Sequence, residues 1–263
     1  FLDPPGPSYD DAYQIERFLM RYKTGAWTFS GGDFYRQMGR GLLLALRKQD
    51  EAAVDVSLQG GQVEFRSGDW ESYVFAGRAN PVNLDLLTKK RIDDTDDPLF
   101  GASVAYRGLP IDFALMALHS RPSEKILDEQ STISSFGAII EGPGLTDVFS
   151  FYLEGATQHR EIAGQSCDPL QGDCAGWAAY GTVDLSFERW SMLFEGLYLK
   201  AFEQRGSRNT ALGKAFDYNL PPTLERVDME VLNQRDLAGG RVHAETDAGV
   251  DGLLLSADAL LRI

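Results

Sequence analysis

Trp177-Ala178-Ala179-Tyr180-Gly181-Thr182-Val183-Asp184-Leu185-Ser186-Phe187 is the stretch on which the fold turns. Side chains of an extended chain point alternately to opposite sides. Trp177, Ala179, Gly181, Val183, Leu185 and Phe187 therefore share one face, and Ala178, Tyr180, Thr182, Asp184 and Ser186 share the other. Glu188 and Arg189 separate this segment from Trp190 to Phe202, which is rich in Leu, Phe and Tyr. The pair predicts a tight hairpin of two strands longer than the usual length of about five or six residues.

The design repeats on both sides of that hairpin. Ser135 to Glu141 and Val148 to Thr157 flank the turn Gly142-Pro143-Gly144, and Ala102 to Arg107 and Ile111 to Leu118 flank Gly108-Leu109-Pro110. Earlier, Val54, Val56 and Leu58 lie on one side of a strand, and Val63 and Phe65 continue it after Gly60-Gly61, which predicts a bulge there. Trp70 to Gly77 follows across Ser67-Gly68-Asp69. Arg241 to Ala248 and Leu253 to Leu261 form a last pair, although the leucine-rich final segment also fits a helix. Tyr9 to Tyr22 reads either as a helix capped by Ser8 or as an opening strand turning at Lys23-Thr24-Gly25 into Ala26 to Phe29.

Long polar loops, Thr88 to Phe100, Ser120 to Ser134, Gln158 to Gly176 and Gln204 to Asp228, alternate with the tight turns. Tight turns at one end and long loops at the other are how bacterial membrane barrels are built. The expectation is an all-β antiparallel meander forming a transmembrane-type β-barrel. It has about 10 to 12 strands and is one domain over residues 1–263, with 1–25 a helix or an opening strand.

Composition agrees. Lys plus Arg is 25 against 39 Asp plus Glu, a net charge of -14, which argues against a nucleic-acid partner. The 27 glycines among 263 residues and 11% aromatics favour turns and well-filled strands. The longest apolar runs, Leu42 to Leu46 and Phe113 to Leu118, fall far short of the roughly 18 residues of a spanning helix. That leaves strands as the only way to cross a bilayer.

Cys167 and Cys174 lie in Gly164-Gln165-Ser166-Cys167-Asp168-Pro169-Leu170-Gln171-Gly172-Asp173-Cys174, a loop by its Gly, Pro and Asp content. Two thiols cannot complete a four-ligand zinc site, and the spacer is not that of a Cys-x-x-Cys redox motif. A disulfide closing a small loop is expected, with two free thiols in a reducing compartment as the alternative.

Gly32-Asp33-Phe34-Tyr35, then Gly39-Arg40-Gly41-Leu42 with an apolar strand, and later Tyr218-Asn219-Leu220-Pro221-Pro222-Thr223-Leu224 resemble elements of an uncharacterised family of outer-membrane-type β-barrel proteins from bacteria with two membranes. The resemblance spans most of the chain in order. It rests on short motifs whose residues are Asp33, Phe34, Tyr35, Gly39, Arg40, Gly41, Pro221 and Pro222. It implies a barrel in the bacterial outer membrane, and so membrane lipid as a partner, more than any function. A small solute or glycan is the expected partner of a barrel whose lumen and loops pass or bind something. Barrels of this kind commonly end in an aromatic residue, whereas this chain stops at Leu260-Leu261-Arg262-Ile263, so the resemblance implies a piece of a longer barrel.

Chemical motifs are sparse. His119, His159 and His243 have no partner at metal-ligand spacing, and no Gly-x-Ser-x-Gly, P-loop or Ser-x-x-Lys is present, so no catalytic residue or cofactor is expected. Gly39-Arg40-Gly41 reads as a strand bend before it reads as a phosphate loop. Asp93, Asp94, Asp96 and Asp97 offer oxygens to calcium but lack the central glycine and closing glutamate of an EF-hand, which favours a solvated acidic loop. Glu154 and Glu195 are paired carboxylates of the kind glycosidases use. A lumen-facing role beside Tyr152, Thr182 and Asp184 accounts for Glu154 without chemistry. Glu195 shares its face with Leu193, Leu197 and Leu199, so either a bulge resets the phase or that face is not lipid-facing. A channel-like or surface-binding barrel is expected, with a soluble or periplasmic sheet module binding a glycan or protein as the rival.

Overall fold

The computed structural model describes residues 17–49, 54–81, 97–124, 129–162, 174–209, 214–219, 222, 236–247 and 254–262. The strands in chain order begin with β1 (Leu19–Thr24), β2 (Trp27–Phe34), β3 (Arg36–Met38), β4 (Leu44–Leu46), β5 (Lys48–Gln49) and β6 (Val54–Ser67). They continue with β7 (Trp70–Pro81), β8 (Pro98–Tyr106), β9 (Asp112–Ser120), β10 (Ser123–Glu124), β11 (Glu129–Thr146) and β12 (Phe149–Ile162). The last six are β13 (Ala175–Ser186), β14 (Trp190–Lys200), β15 (Arg205–Asn209), β16 (Lys214–Asp217), β17 (Leu237–Asp247) and β18 (Leu254–Arg262).

Twelve of them form one antiparallel wall in the order β1-β2-β6-β7-β8-β9-β11-β12-β13-β14-β17-β18, with β5 and β10 as short additions. The fold is thus all-β, a meander building the wall of a transmembrane-type barrel. Among the described residues β1 and β18 are not paired with each other, so the wall is a partial barrel. The connections alternate as the sequence suggests. Residues 25–26, 68–69, 107–111, 147–148 and 187–189 turn tightly at one end, and the longer segments 35–53, 82–97, 121–128, 163–174 and 201–236 join strands at the other.

The wall has two distinct faces. On β13, Trp177 and Ala179 are exposed while Ala178, Tyr180 and Thr182 are buried, and on β12 Leu153 and Gly155 are exposed while Tyr152, Glu154, Ala156 and Gln158 are buried. Large apolar side chains such as Val74, Leu115, Phe136 and Leu153 project from the outer face. Trp27, Trp70, Phe187 and Trp190 gather at the tight-turn end, and Phe100, Phe136, Trp177 and Tyr198 toward the other. Trp177 and Phe187 are ten residues apart. At ~3.3 Å per residue and ~40° of tilt their heights differ by about 25 Å, the height of the apolar band on membrane barrels.

Several expectations change. The register of β6 with β7 runs unbroken from Leu58↔Ala79 through Gly60↔Gly77 to Phe65↔Ser72, so no bulge lies at Gly60-Gly61. Val56 and Leu58 face inward, and Val63 and Phe65 lie on the opposite face. The apolar side switches because the surroundings switch along the strand. Glycines are needed where the two strands crowd, since a Cβ on Gly60 would stand 2.5 Å from the Gly77 Cα. β14 also keeps register with β13 throughout, so Glu195, Leu197 and Leu199 lie on the inner face and Phe194 and Tyr198 on the outer one. The final leucine-rich segment is strand β18. Leu19–Thr24 is an opening strand, Arg17 and Phe18 before it are not helical, and residues 9–16 of the helix reading lie outside the described residues. Strands also extend into the predicted loops 120–134, 158–176 and 204–228.

Candidate functional site

The inner face is not empty. The segment after β2 leaves the wall, and β3 pairs with β4 as a small hairpin, Arg36↔Leu46 to Met38↔Leu44, inside the barrel. Met38, Leu42, Leu43, Leu44 and Leu46 are buried against inward wall residues Met116, Leu118, Ile139, Leu197 and Leu199. The apolar stretch after Gly41 is therefore interior packing and not a lipid-facing wall strand. A second inward segment follows β14. It carries Phe202, Gln204 and the β15-β16 hairpin, and Tyr218 and Asn219 are buried with it. The two segments are joined, because Ala45 N donates to Tyr218 O at 2.7 Å and Tyr218 N donates to Gln204 O at 2.8 Å.

The tip of the first hairpin meets the wall at a carboxylate. Gly39 has φ +58° and Gly41 φ +98°, backbone that favours glycine, which makes Gly39-Arg40-Gly41 a hairpin turn and not a strand bend. Arg40 N donates to Glu154 Oε2 at 2.8 Å, and Tyr152 OH donates to the same oxygen at 2.6 Å. A Cβ on Gly39 would lie 2.3 Å from Glu154 Oε1. The Arg40 guanidinium carbon stands 4.1 Å from the Tyr152 ring centroid and 5.6 Å from that of Tyr180.

From there a polar chain crosses the inner wall. Arg40 donates to Tyr180 OH at 3.4 Å, Tyr180 OH donates to Glu195 Oε1 at 3.0 Å, and Arg241 donates to Glu195 Oε2 at 3.4 Å. Arg241 Nε also donates to Asp258 Oδ1 at 2.9 Å. His243 lies between Asp258 and Glu245, each 2.8 Å from one ring nitrogen. On the other side of the hairpin, Arg36 donates to Gln62 at 2.8 Å and to Glu64 at 2.6 Å, over the Tyr73 ring. Charges of both signs alternate along the bore, and pairing lowers the cost of holding them away from bulk water.

The structure places Tyr152, Glu154 and Thr182 buried on the inner face, with Asp184 partly covered on the same parity. Glu154 and Glu195 are brought into one network through Arg40 and Tyr180. Of the acidic run, Asp97 alone is described. It is fully buried and accepts from Tyr218 OH at 2.5 Å, so it is not part of a solvated loop, and Asp93, Asp94 and Asp96 lie outside the described residues. Asp33 is buried and accepts from Phe18 N at 3.1 Å and from the Ser57 hydroxyl at 3.4 Å. Phe34 is buried beside it, while Tyr35 is exposed and accepts from Arg17 at 2.7 Å. Pro222 is partly covered, Pro221 lies outside the described residues, and Cys174 is buried while Cys167 lies outside them. Arg36, Arg241 and Asp258 went unremarked in the sequence, and His243 was weighed only as a metal ligand. For Arg241, His243 and Asp258 the signal was parity, since strand pairing puts them on the side of Tyr180, whereas Arg36 sits on the interior hairpin, where wall parity carries no signal.

The wall compares with two solved structures. One is OpdQ of Pseudomonas aeruginosa, with TM-score 0.55 and 8% identity, over 92% of this chain and 62% of that one. The other is OccK8 (OprE) of Pseudomonas aeruginosa, with TM-score 0.51 and 12% identity, over 91% and 64%. The chain shares their fold. It spans less than two thirds of the length of either. No protein-family model and no curated protein matches the sequence.

Proposed function

We propose that this chain is an integral β-barrel of the bacterial outer membrane, of the porin kind and without catalytic chemistry. It passes or binds a small polar solute or glycan along a bore narrowed by the β3-β4 hairpin. The observation that carries this reading is the two-faced wall. Its outside is apolar and banded by aromatics, and its inside carries Glu154, Glu195, Arg241 and Asp258 around a folded-in segment that brings Arg36 and Arg40 to it. A soluble sandwich would cover Leu115, Phe136 and Trp177, which instead are 63%, 60% and 57% exposed.

Heat-modifiable gel migration tests it, followed by planar-bilayer recording. A compact band that slows after boiling, together with small stepwise conductances, is the expected result. A protein that stays soluble and shows no shift would sink the reading.

The loop before β13 carries a separate proposal, a Cys167–Cys174 disulfide. The seven-residue separation within a Gly- and Pro-rich loop and the burial of Cys174 support it. Both thiols are expected to resist alkylation until reductant is added, and immediate labelling of both in the unfolded, unreduced chain would contradict the pairing.

A further inference from the structure

Outside the bore, cationic groups of this acidic chain collect on the outer wall near its long-connection end. Phe100 of β8 is paired with His119 of β9, His119 with Ser134 of β11, and Ser134 with His159 of β12, so the four form a row. One step nearer the long connections stand Arg78, paired with Pro98, and Arg121, whose N donates to Pro98 O at 3.1 Å. Lys200 is exposed beside its partner Trp177, one step nearer the tight turns than His159, and is not part of this group. Neighbouring strands are about 4.8 Å apart, so the shelf from Arg78 on β7 to His159 on β12 is roughly 20 Å wide.

The centre of the shelf is braced. Arg121 Nε donates to His119 Nε2 at 3.1 Å, and His119 Nδ1 lies 3.1 Å from Ser134 Oγ. A ring nitrogen that accepts from a guanidinium keeps its lone pair, which leaves Nδ1 as the N–H facing serine. The proton is therefore on the wrong nitrogen for His119 to activate Ser134 as a nucleophile. The arrangement serves instead to aim Arg121. The terminal nitrogens of Arg121 have no partner among the described residues, so its flat fork stands open to an anion. Arg78 is held by Gln59 at 2.9 Å, and Glu161 lies 3.6 Å from His159.

Phe100, Phe136 and Trp177 project at and just below this row. On a membrane barrel, aromatic girdles sit where acyl chains give way to headgroups, and the long connections face the outer leaflet. Cations immediately above the girdle stand at the level of headgroup phosphates. We propose that Arg78, Arg121 and His159 bind the phosphates of an anionic lipid headgroup in the leaflet on the long-connection side. The inference rests on the membrane-barrel reading above.

Titrating the folded protein in neutral detergent micelles with lipid A, a bis-phosphorylated glycolipid, and with its dephosphorylated form tests it. Lipid A is expected to bind, and Arg78→Gln with Arg121→Gln to weaken it about tenfold, with Arg121→Lys losing less. The dephosphorylated lipid should bind unchanged to both proteins. Equal affinity for the two lipids, unaltered binding by the double variant, or full displacement by millimolar inorganic phosphate would each overturn the assignment, the last pointing to a free-anion site. The heat-dependent band is read on the same samples. Its absence from the parent protein counts against the barrel, and its retention in a variant that loses lipid A locates the site. If the double variant loses the band, Arg121→Gln alone, at an exposed side chain, replaces it.

Discussion

Leu153→Arg is expected to abolish folding into lipid vesicles, while Leu185→Arg on the same outer face is tolerated. Leu153 is 49% exposed and pairs with Gly181, near the middle of the span between Trp177 and Phe187. A guanidinium there faces hydrocarbon with no water, a cost of about 2–4 kcal/mol, comparable with a large part of the stability of a domain. Leu185 is one residue from the end of β13, beside the Phe187 and Trp190 rings, where a long side chain reaches water and the cost falls to about 0–1 kcal/mol. Urea-titrated folding read by the heat-dependent band measures both, and Leu153→Ala separates lost packing from the buried charge. Equal penalties at the two positions would mean that this face does not meet a bilayer.

Glu154→Ala should widen the bore. The carboxylate is 2% exposed and holds the hairpin tip through Arg40 N while accepting from Tyr152. Its removal strands the buried Tyr152 hydroxyl and the Arg40 N–H, each at a cost of about 1–3 kcal/mol, and leaves the hairpin tip held only by the Arg40 side chain against Tyr152 and Tyr180. Larger, noisier single-channel steps are expected, with the heat-dependent band retained because Leu42, Leu43, Leu44 and Leu46 still pack the hairpin against the inner wall. Gly39→Val reaches the same end from the other side. Its Cβ would meet the Glu154 carboxylate, and a β-branched residue at φ +58° is strained. The two changes act on one contact, so the double variant should show much less than the sum of their effects. Conductance unchanged in both, with the fold intact, would show that the hairpin does not limit passage.

The wall was legible in the sequence because its two sides differ chemically. Alternation over Trp177 to Phe187 located β13 and its hairpin partner, and turn residues located the other pairs. Parity failed where the barrel interior is itself apolar. Leu42 to Leu46 has the composition of a lipid-facing strand, since leucine suits a bilayer and a packed interior equally. The same ambiguity produced the bulge at Gly60-Gly61. Val56 and Leu58 face the packed half of the interior and Val63 and Phe65 the opposite side, so the apolar face changes while the register does not. Glu195 looked misplaced for the corresponding reason, because Leu197 and Leu199 share the inner face with it. Composition placed Asp97 in a solvated run. Only the fold brings Tyr218, 121 residues away, onto its carboxylate.

The interior hairpin also sets the tempo of assembly. Wall strands from β6 to β14 pair mainly with close neighbours in the chain, so their hairpins zip on the timescale of local contacts, microseconds in isolated examples. Arg40 instead waits for Glu154, 114 residues later, and Tyr180, 140 residues later. Closing loops of that length is the slow part of folding. A segment made early therefore settles late, and until the curved wall exists its leucines have nowhere to go but a chaperone or one another.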